Sequence, residues 1–506
     1  MLNRLRLNFR SIRLISETIT EIISVSRSCH TRSVSKTTLF SKISPLGQPG
    51  SSVLPELDKW VENGKKIGAA ELQRIVRALR KRRRFTHALE ISEWMGNKGI
   101  CKFSSREHAV QLDLISRVHG LQAAESYFNN LDDQDKTEKT YGALLNCYVR
   151  ECLVDKSLSH FQKMKEIGFP PSCLTYNDLM SLYVKMSQYE KVLDVLIEMK
   201  ENGVSPDNFS YRICITSYGM RSDLNGMEKL LEEMESQSHI TMDWNTYSMV
   251  ASFYIKAGII DKAISALKKS EEKLDKDGLG YNHLISLYAS VGNKNEVIRL
   301  WCLEKAACKR YINRDYITML GSLMKLDAFE EAEKLLEEWE SSGNCYDFRV
   351  PNTVLVGYCQ KGLSEKAETL LKSIETRGKT PIPNSWVIVA VGYEGKGEIE
   401  KTMECMKKAL SLSLQVGNEN WRPNPKVIKC ILNWLGDEGD VKSAEAFVSL
   451  LRMVIPMNRE MHHALIKANI RGGKEVDELV QTMKDDGIDE DLETKKILSL
   501  RQEQPK

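Results

Sequence analysis

Polar side chains with hydrogen-bonding chemistry follow one face of a predicted helix near residue 180. Asn177, Ser181 and Lys185 lie four residues apart, which places them on a face separate from the apolar residues Tyr176 and Leu179. A carboxamide offers both a donor and an acceptor to a polar ligand, and a lysine ammonium group binds anions. This face is therefore either solvated or a surface that binds a ligand.

Cationic residues recur nine residues after the residue that opens several of the predicted first helices. They are Lys81, Arg117, Arg150, Lys185, Lys256 and Lys325. On a regular array of helices they form an interrupted basic stripe on the face that carries Asn177, and such a stripe suits phosphates along an extended strand. The alternative is that cations near a helix C-terminus interact with the helix dipole and aid solubility.

A basic cluster, Arg80, Lys81, Arg82, Arg83 and Arg84, lies at the predicted turn between two helices. It is a candidate for binding phosphate, ribosomal RNA or an acidic protein surface. The alternative is a solvated turn, because charge runs are commonly exposed.

Patterns typical of enzymes do not stand out. We find no Gly-rich phosphate loop, activated nucleophile or paired carboxylates, and the 12 cysteines are scattered without a CxxC pair. We therefore predict a non-enzymatic protein with no catalytic residue, no metal site and no cofactor. No apolar run approaches the roughly 20 residues that span a bilayer, so no membrane span is predicted.

The element that positions these residues is a repeat. Residues that open a first helix recur in steps of 35, 35, 36, 34, 35, 35 and 35. They are Tyr141, Tyr176, Tyr211, Tyr247, Tyr281, Tyr316, Pro351 and Trp386, with Leu72, His108, Ile428 and His462 further out in the same frame.

Small or branched residues share this period, sixteen residues after the opening residue, at Ala88, Ala124, Ser157, Val192, Ala263, Ala332 and Ala367. Small residues let two helices approach closely, so each unit is predicted to be a helical hairpin. Because one hairpin cannot bury its apolar face alone, the hairpins must stack. We predict an all-α fold, a right-handed α-solenoid superhelix of about 12 helix-turn-helix repeats of 35 residues.

The N-terminal segment differs in charge from the rest of the chain. Residues 1–47 carry eight Arg or Lys and two Glu, a net charge of +6, so the remainder of this +3 chain is near −3. This Arg- and Ser-rich pattern is typical of a mitochondrial transit peptide, with chloroplast targeting as the alternative. We predict a cleaved leader over 1–45, a helical lead-in over 46–67, the solenoid over 68–490 and a C-terminal tail over 491–506.

The unit TYNDLMSLYVKMSQYEKVLDVLIEMKENGVSPD closely resembles the pentatricopeptide repeat, which opens with Thr-Tyr-Asn and closes with Gly-x-x-Pro-Asp. The chain resembles the pure class of this family in plant organelles, because no deaminase-like extension follows the last unit. The resemblance implies that first helices line a concave surface on which each unit addresses one RNA base.

In this family, the residue after the opening residue and the last residue of the unit select the base. The resemblance therefore implies that Asn177 with Asp207 selects uracil and that Ser248 with Asp277 selects guanine. Asn282 and Asn352 are further candidates, but their units end in Ile312 and Ile382 and do not form standard pairs.

These features predict a mitochondrial protein that binds single-stranded RNA and acts in transcript stabilisation, processing or translation. The alternative is a scaffold, such as a mitochondrial ribosome-associated subunit that contacts ribosomal RNA and organellar proteins.

Overall fold

The computed structural model describes residues 38–47, 51–274, 278–308, 312–343, 345–417 and 421–503. Helices dominate these ranges, and no strand is assigned within them. Internal contacts divide the chain into two units, Met1–Met242 and Asp243–Lys506.

The first unit contains two lead-in helices followed by five helical hairpins in its described part. The lead-in helices are α1 (Leu39–Ile43) and α2 (Leu54–Glu62). The hairpin helices are α3 (Ala69–Lys81), α4 (Phe85–Asn97), α5 (Ser105–Val118), α6 (Leu121–Asn129), α7 (Glu138–Arg150), α8 (Val154–Glu166), α9 (Cys173–Lys185), α10 (Tyr189–Glu201), α11 (Asn208–Met220) and α12 (Leu224–Ser236).

The second unit contains seven hairpins and a final helix in its described part. Its helices are α13 (Trp244–Lys256), α14 (Ile260–Glu272), α15 (Gly278–Ser290), α16 (Lys294–Ala307), α17 (Asn313–Lys325), α18 (Phe329–Ser341), α19 (Arg349–Gln360), α20 (Ser364–Thr376), α21 (Pro383–Glu394), α22 (Ile399–Val416), α23 (Pro425–Asp437), α24 (Val441–Arg452), α25 (Arg459–Arg471), α26 (Asp477–Asp485) and α27 (Leu492–Ser499).

The α9/α10 hairpin shows why the sequence folds in this way. The backbone N–H of Ser172 donates to the hydroxyl of Thr175 at 2.8 Å in a capping box, and α9 begins at Cys173. Ser187 ends the first helix with a left-handed φ of 57°, and Gly203 follows the second helix with φ 71°. The predicted hairpin is confirmed.

Most of the residues that define the repeat lie in the core. Tyr176, Tyr211 and Trp386 are almost fully buried, and all five repeated alanines have no exposed surface. Each first helix packs against its own second helix, and several neighbouring first helices within a unit also pack together, as in α9 with α11 and α15 with α17. The prediction of an all-α fold built from stacked hairpins is confirmed.

Short helices at both ends also contribute buried residues. Leu39 and Ile43 of α1 are fully buried, and so is Thr494 of α27. Most of the predicted leader, residues 1–37, lies outside the described residues, and the predicted domain boundaries stay predictions. Among the helices in the described ranges, none has the length and hydropathy needed to cross a membrane.

Candidate functional site

The amide of Asn177 is held by hydrogen bonds at the junction of two hairpins. Its Nδ2 donates to Asp207 Oδ1 at 3.1 Å and to Cys173 Sγ at 3.4 Å. Its Oδ1 lies 2.7 Å from the hydroxyl of Ser210. Asn177 is only 2% exposed, so these hydrogen bonds fix the orientation of its side-chain amide.

Asp207 is the exposed member of the pair and caps α11. Its Oδ1 accepts from the Ser210 backbone N–H at 2.8 Å. Burial of the carboxyl opposes its ionisation, but hydrogen bonds from Ser210 and Asn177 outweigh it and lower the pKa of Asp207. The group is therefore an anion near neutral pH and orients the Asn177 amide.

Ser210 links the two predicted residues, and sequence reasoning missed it. Its hydroxyl lies within hydrogen-bonding distance of both Asn177 Oδ1 and Asp207 Oδ1. The signal was present in the sequence, because a Ser, Thr or Asp three residues after the end of a unit recurs as Thr140, Thr175, Ser210, Thr246 and Asp315. This is the helix position that completes a capping box.

The other base-selecting candidates have different surroundings. Ser248 is fully buried and donates to the backbone oxygen of Asn245, while Asn352 is 9% exposed with no partner for Oδ1 among the described residues. Asp277, the predicted partner of Ser248, lies outside the described residues. The Asn282 amide donates to a carboxylate of the next hairpin, Asp315, at 2.8 Å.

Large apolar side chains are exposed at the second position of several first helices, a second feature that sequence reasoning missed. Leu174 is 65% exposed, Phe209 48% and Leu279 51%. Leu174 lies one helical turn before Asn177, on the same helix. Exposed apolar groups next to buried polar groups suit the flat faces and polar edges of nucleic-acid bases.

Three arginines from successive hairpins converge on one carboxylate. Arg80, Arg117 and Arg150 lie 2.8, 2.8 and 2.9 Å from Asp113. Burial opposes ionisation of Asp113, but the arginine contacts outweigh it and lower the pKa of the carboxyl. Two predicted phosphate ligands, Arg117 and Arg150, are therefore already engaged with an internal anion.

The lysines of the stripe differ in their partners. Lys185 donates to the backbone oxygen of Val149 at 3.1 Å, in the last turn of α7, and Lys325 donates to Ser290 at 2.7 Å, at the end of α15. Burial lowers the pKa of Lys325. These contacts match the alternative of cations at helix C-termini. Lys256 lies over the Phe253 ring, and Lys81 contacts no polar partner in the part of the chain described.

The basic cluster joins the lead-in helices to the first hairpin. Arg84 donates to the backbone oxygens of Ser44 and Ile43 at 2.9 and 3.3 Å, and Arg82 lies over the ring of Phe40. Arg83 adopts the left-handed conformation of the turn, with φ 58°. The cluster is therefore partly structural, and a ligand would meet chiefly Lys81 and Arg83.

An open cavity of about 370 Å³ lies beside the first helices of the first unit. It is lined by the cations Arg80, Arg106, Arg117 and Lys139, by the acids Asp113, Glu138 and Asp178, and by exposed Leu174. Asp113 already engages Arg80 and Arg117, so Arg106 and Lys139, beside the exposed apolar surface of Leu174, are the cations of this cavity suited to a single-stranded nucleic acid.

The chain matches known repeat sequences. A model described as a PPR repeat family matches residues 171–220, and one described as a PPR repeat matches residues 139–169, 209–239, 315–344 and 350–378. A mitochondrial pentatricopeptide repeat-containing protein of Arabidopsis thaliana is 57% identical over 94% of this chain and 97% of its own length.

Two further matches are more distant. The Arabidopsis thaliana large ribosomal subunit protein mL101 (rPPR4) is 37% identical over 91% of this chain and 94% of its own length. The crystal structure of maize PPR10 is 18% identical, with a TM-score of 0.46, over 92% of this chain and 69% of that one. At 57% and 37% identity over nearly the whole length, the sequence matches show the family directly, and this chain belongs to the pentatricopeptide repeat family.

Proposed function

We propose that the protein binds single-stranded RNA in mitochondria and acts in organellar RNA metabolism as a non-enzymatic binding protein. The observation that carries the proposal is the Asn177–Asp207 contact of 3.1 Å, with Leu174 exposed one turn away. The mitochondrial names of similar relatives support the location.

The Asn177 side chain supports base selection by one defined atom. Because Asp207 accepts from Nδ2, the amide cannot turn over without placing its oxygen against a carboxylate. The carbonyl oxygen Oδ1 has two lone pairs, and Ser210 occupies at most one of them. The other can accept from a ring N–H, which uracil and guanine have at the centre of their pairing edge, whereas adenine and cytosine have a bare ring nitrogen there.

Selection from a random RNA pool with purified full-length protein tests this proposal. We expect bound RNAs to favour a base with a ring N–H at one position, uracil as the family resemblance implies, and Asn177→Ala with Asp207→Ala to remove that preference with about a tenfold loss of discrimination. Asn202→Ala, at the end of α10 in the same hairpin, is the matched control and should leave the profile unchanged. An unaltered profile in the double variant would refute base selection, and absence of binding at low salt would refute the RNA-binding function.

A scaffold role in the mitochondrial ribosome is the second candidate, favoured by the 37% identity to a large-subunit protein over 91% of the chain. Sedimentation of mitochondrial lysate in high salt distinguishes the two. Stable migration with the large subunit supports the scaffold, and migration as free protein or with messenger RNA supports the transcript-binding role.

A further inference from the structure

The unit that begins at Gly278 lacks the terminal carboxylate that holds Asn177 in its own unit. Its last residue is Ile312, where the Asn177 unit has Asp207. The equivalent amide, Asn282, is nevertheless bound to a carboxylate, because Asp315 Oδ1 lies 2.8 Å from its Nδ2. Asp315 occupies the place of Ser210, three residues further along the chain.

Asp315 is held rigidly in this role. Its Oδ2 accepts from the backbone N–H of Ile312 at 3.0 Å, and Arg314 donates to its Oδ1 at 3.1 Å. Asp315 and Asn282 are 4% and 5% exposed, so the contact between them is shielded from water. A charge-assisted hydrogen bond in such surroundings is strong and directional.

The donors of Asn282 are fully used, whereas its acceptor is not. Besides Asp315, Nδ2 lies 2.7 Å from the Gly278 backbone oxygen and 3.1 Å from Glu304 Oε1. The Oδ1 atom is buried and has no hydrogen-bond partner in the described ranges. A buried carbonyl without a partner carries a free-energy cost that a donor from a ligand removes.

The rim of this site is apolar and open. Leu279, one turn before Asn282, is 51% exposed, and Ile312 is 47% exposed. A flat ring can lie against these side chains and direct its edge toward the buried amide.

We propose that Asp315 replaces the missing terminal carboxylate and makes Asn282 a second base-selecting residue, which prefers bases with a ring N–H, uracil or guanine, over adenine and cytosine. The inference rests on the proposed RNA-binding function. It assigns a positioning role to Asp315, which acts through Asn282, and identifies Asn282 Oδ1 as the atom that contacts the base.

The test uses Glu304→Met as its background. Glu304 is equivalent to Met199 of the Asn177 unit, so methionine at this position is compatible with the repeat. The substitution removes the Glu304 carboxylate from Asn282 and leaves Asp315 as its single carboxylate partner. The position read by Asn282 is identified as the one whose profile changes in Asn282→Ala. We expect Glu304→Met alone to keep the preference for uracil or guanine there.

Adding Asp315→Ser should reduce that preference about tenfold. Adding Ile312→Asp to this pair recreates the arrangement of Asp207, Ser210 and Met199, and should restore the preference. If Asp315 only stabilised the fold, adding Ile312→Asp would not restore the base preference. Restoration therefore shows that the carboxylate positions the Asn282 amide. Circular dichroism confirms that each variant is helical.

The outcomes separate the inference from the function on which it rests. If Asn177→Ala with Asp207→Ala changes the profile but the Asp315 series does not, the inference is wrong and the RNA-binding function stands. If the Asp315 series follows the expected loss and rescue, the inference is supported. If no variant and no wild-type protein binds RNA, both are wrong.

Discussion

At the residue scale, the buried acid Glu304 has an unusual environment. The equivalent residue of the Asn177 unit is the fully buried Met199, whereas Glu304 is 1% exposed and its Oε2 has no partner within the described part of the chain. Burial, reinforced by the negative charge of Asp315, raises the pKa of Glu304 to about 7. The native state therefore keeps a proton that the unfolded chain loses near pH 4.5.

This pKa shift predicts that Glu304 destabilises the fold as pH rises. Between about pH 4.5 and 7 the native state binds more protons than the unfolded state, so the free energy of unfolding falls through that window. We expect Glu304→Met to be more stable than wild type by about 2–3 kcal/mol at pH 8 and by much less at pH 5. Urea unfolding at both pH values measures the difference.

Glu337→Met, at an exposed site on α18, is the control and should show no such pH-dependent gain. An equal gain for Glu304→Met at pH 5 and pH 8 would show that apolar packing, rather than ionisation, is responsible.

At the element scale, the turn inside nearly every described hairpin contains a left-handed residue. In several hairpins this residue is not glycine, namely Arg83, Cys152, Ser187, Ser222 and Asp327. In the α9/α10 turn, the next residue, Gln188, donates its backbone N–H to the oxygen of Tyr183 at 2.8 Å, which closes the end of α9. The hydrogen bonds that end the helix thus require the left-handed conformation, even where the residue has a side chain that disfavours it.

Ser187→Gly should therefore stabilise the protein. Glycine removes the steric cost of φ 57°, partly offset by greater entropy of the unfolded chain, which leaves a gain of about 0.5–1 kcal/mol. Gly258, at the equivalent turn with φ 76° and no atom within 4 Å of an added Cβ, provides the reverse test. Gly258→Ala should lower stability by a similar amount in the same urea titration. A loss of stability in Ser187→Gly would contradict this account of the turn.

At the scale of the whole molecule, the excess of positive charge lies outside the repeats. Residues 1–37 carry seven Arg or Lys and two Glu, so the remaining chain of a +3 protein has a net charge near −2. Within the hairpins many cations are already paired, as Arg117 and Arg150 are with Asp113. Cations that are paired in this way contribute less to counterion release from a phosphate backbone.

RNA binding should accordingly depend only weakly on salt. Each phosphate contact on a single strand contributes about −0.7 to the slope of log Kobs against log salt, so a few contacts give a slope of about −1 to −3 for a chain that begins at residue 38. Full-length protein should show a steeper slope. Fluorescence anisotropy with a labelled RNA from low to high salt provides the measurement, and identical slopes would mean that the N-terminal segment makes no contribution.

The sequence alone determined the repeat. An apolar face that must pack against the next hairpin returns at a fixed spacing, so Tyr176, Ala263 and their equivalents are recognisable without coordinates, and so is the Asn177 unit. Which groups meet across hairpins is visible only in the folded molecule. Asp315 reaches Asn282 from beyond the end of the unit, and Lys185 binds a backbone oxygen of α7. Such contacts join residues more than thirty positions apart, and they depend on side-chain reach and direction, which residue spacing does not specify.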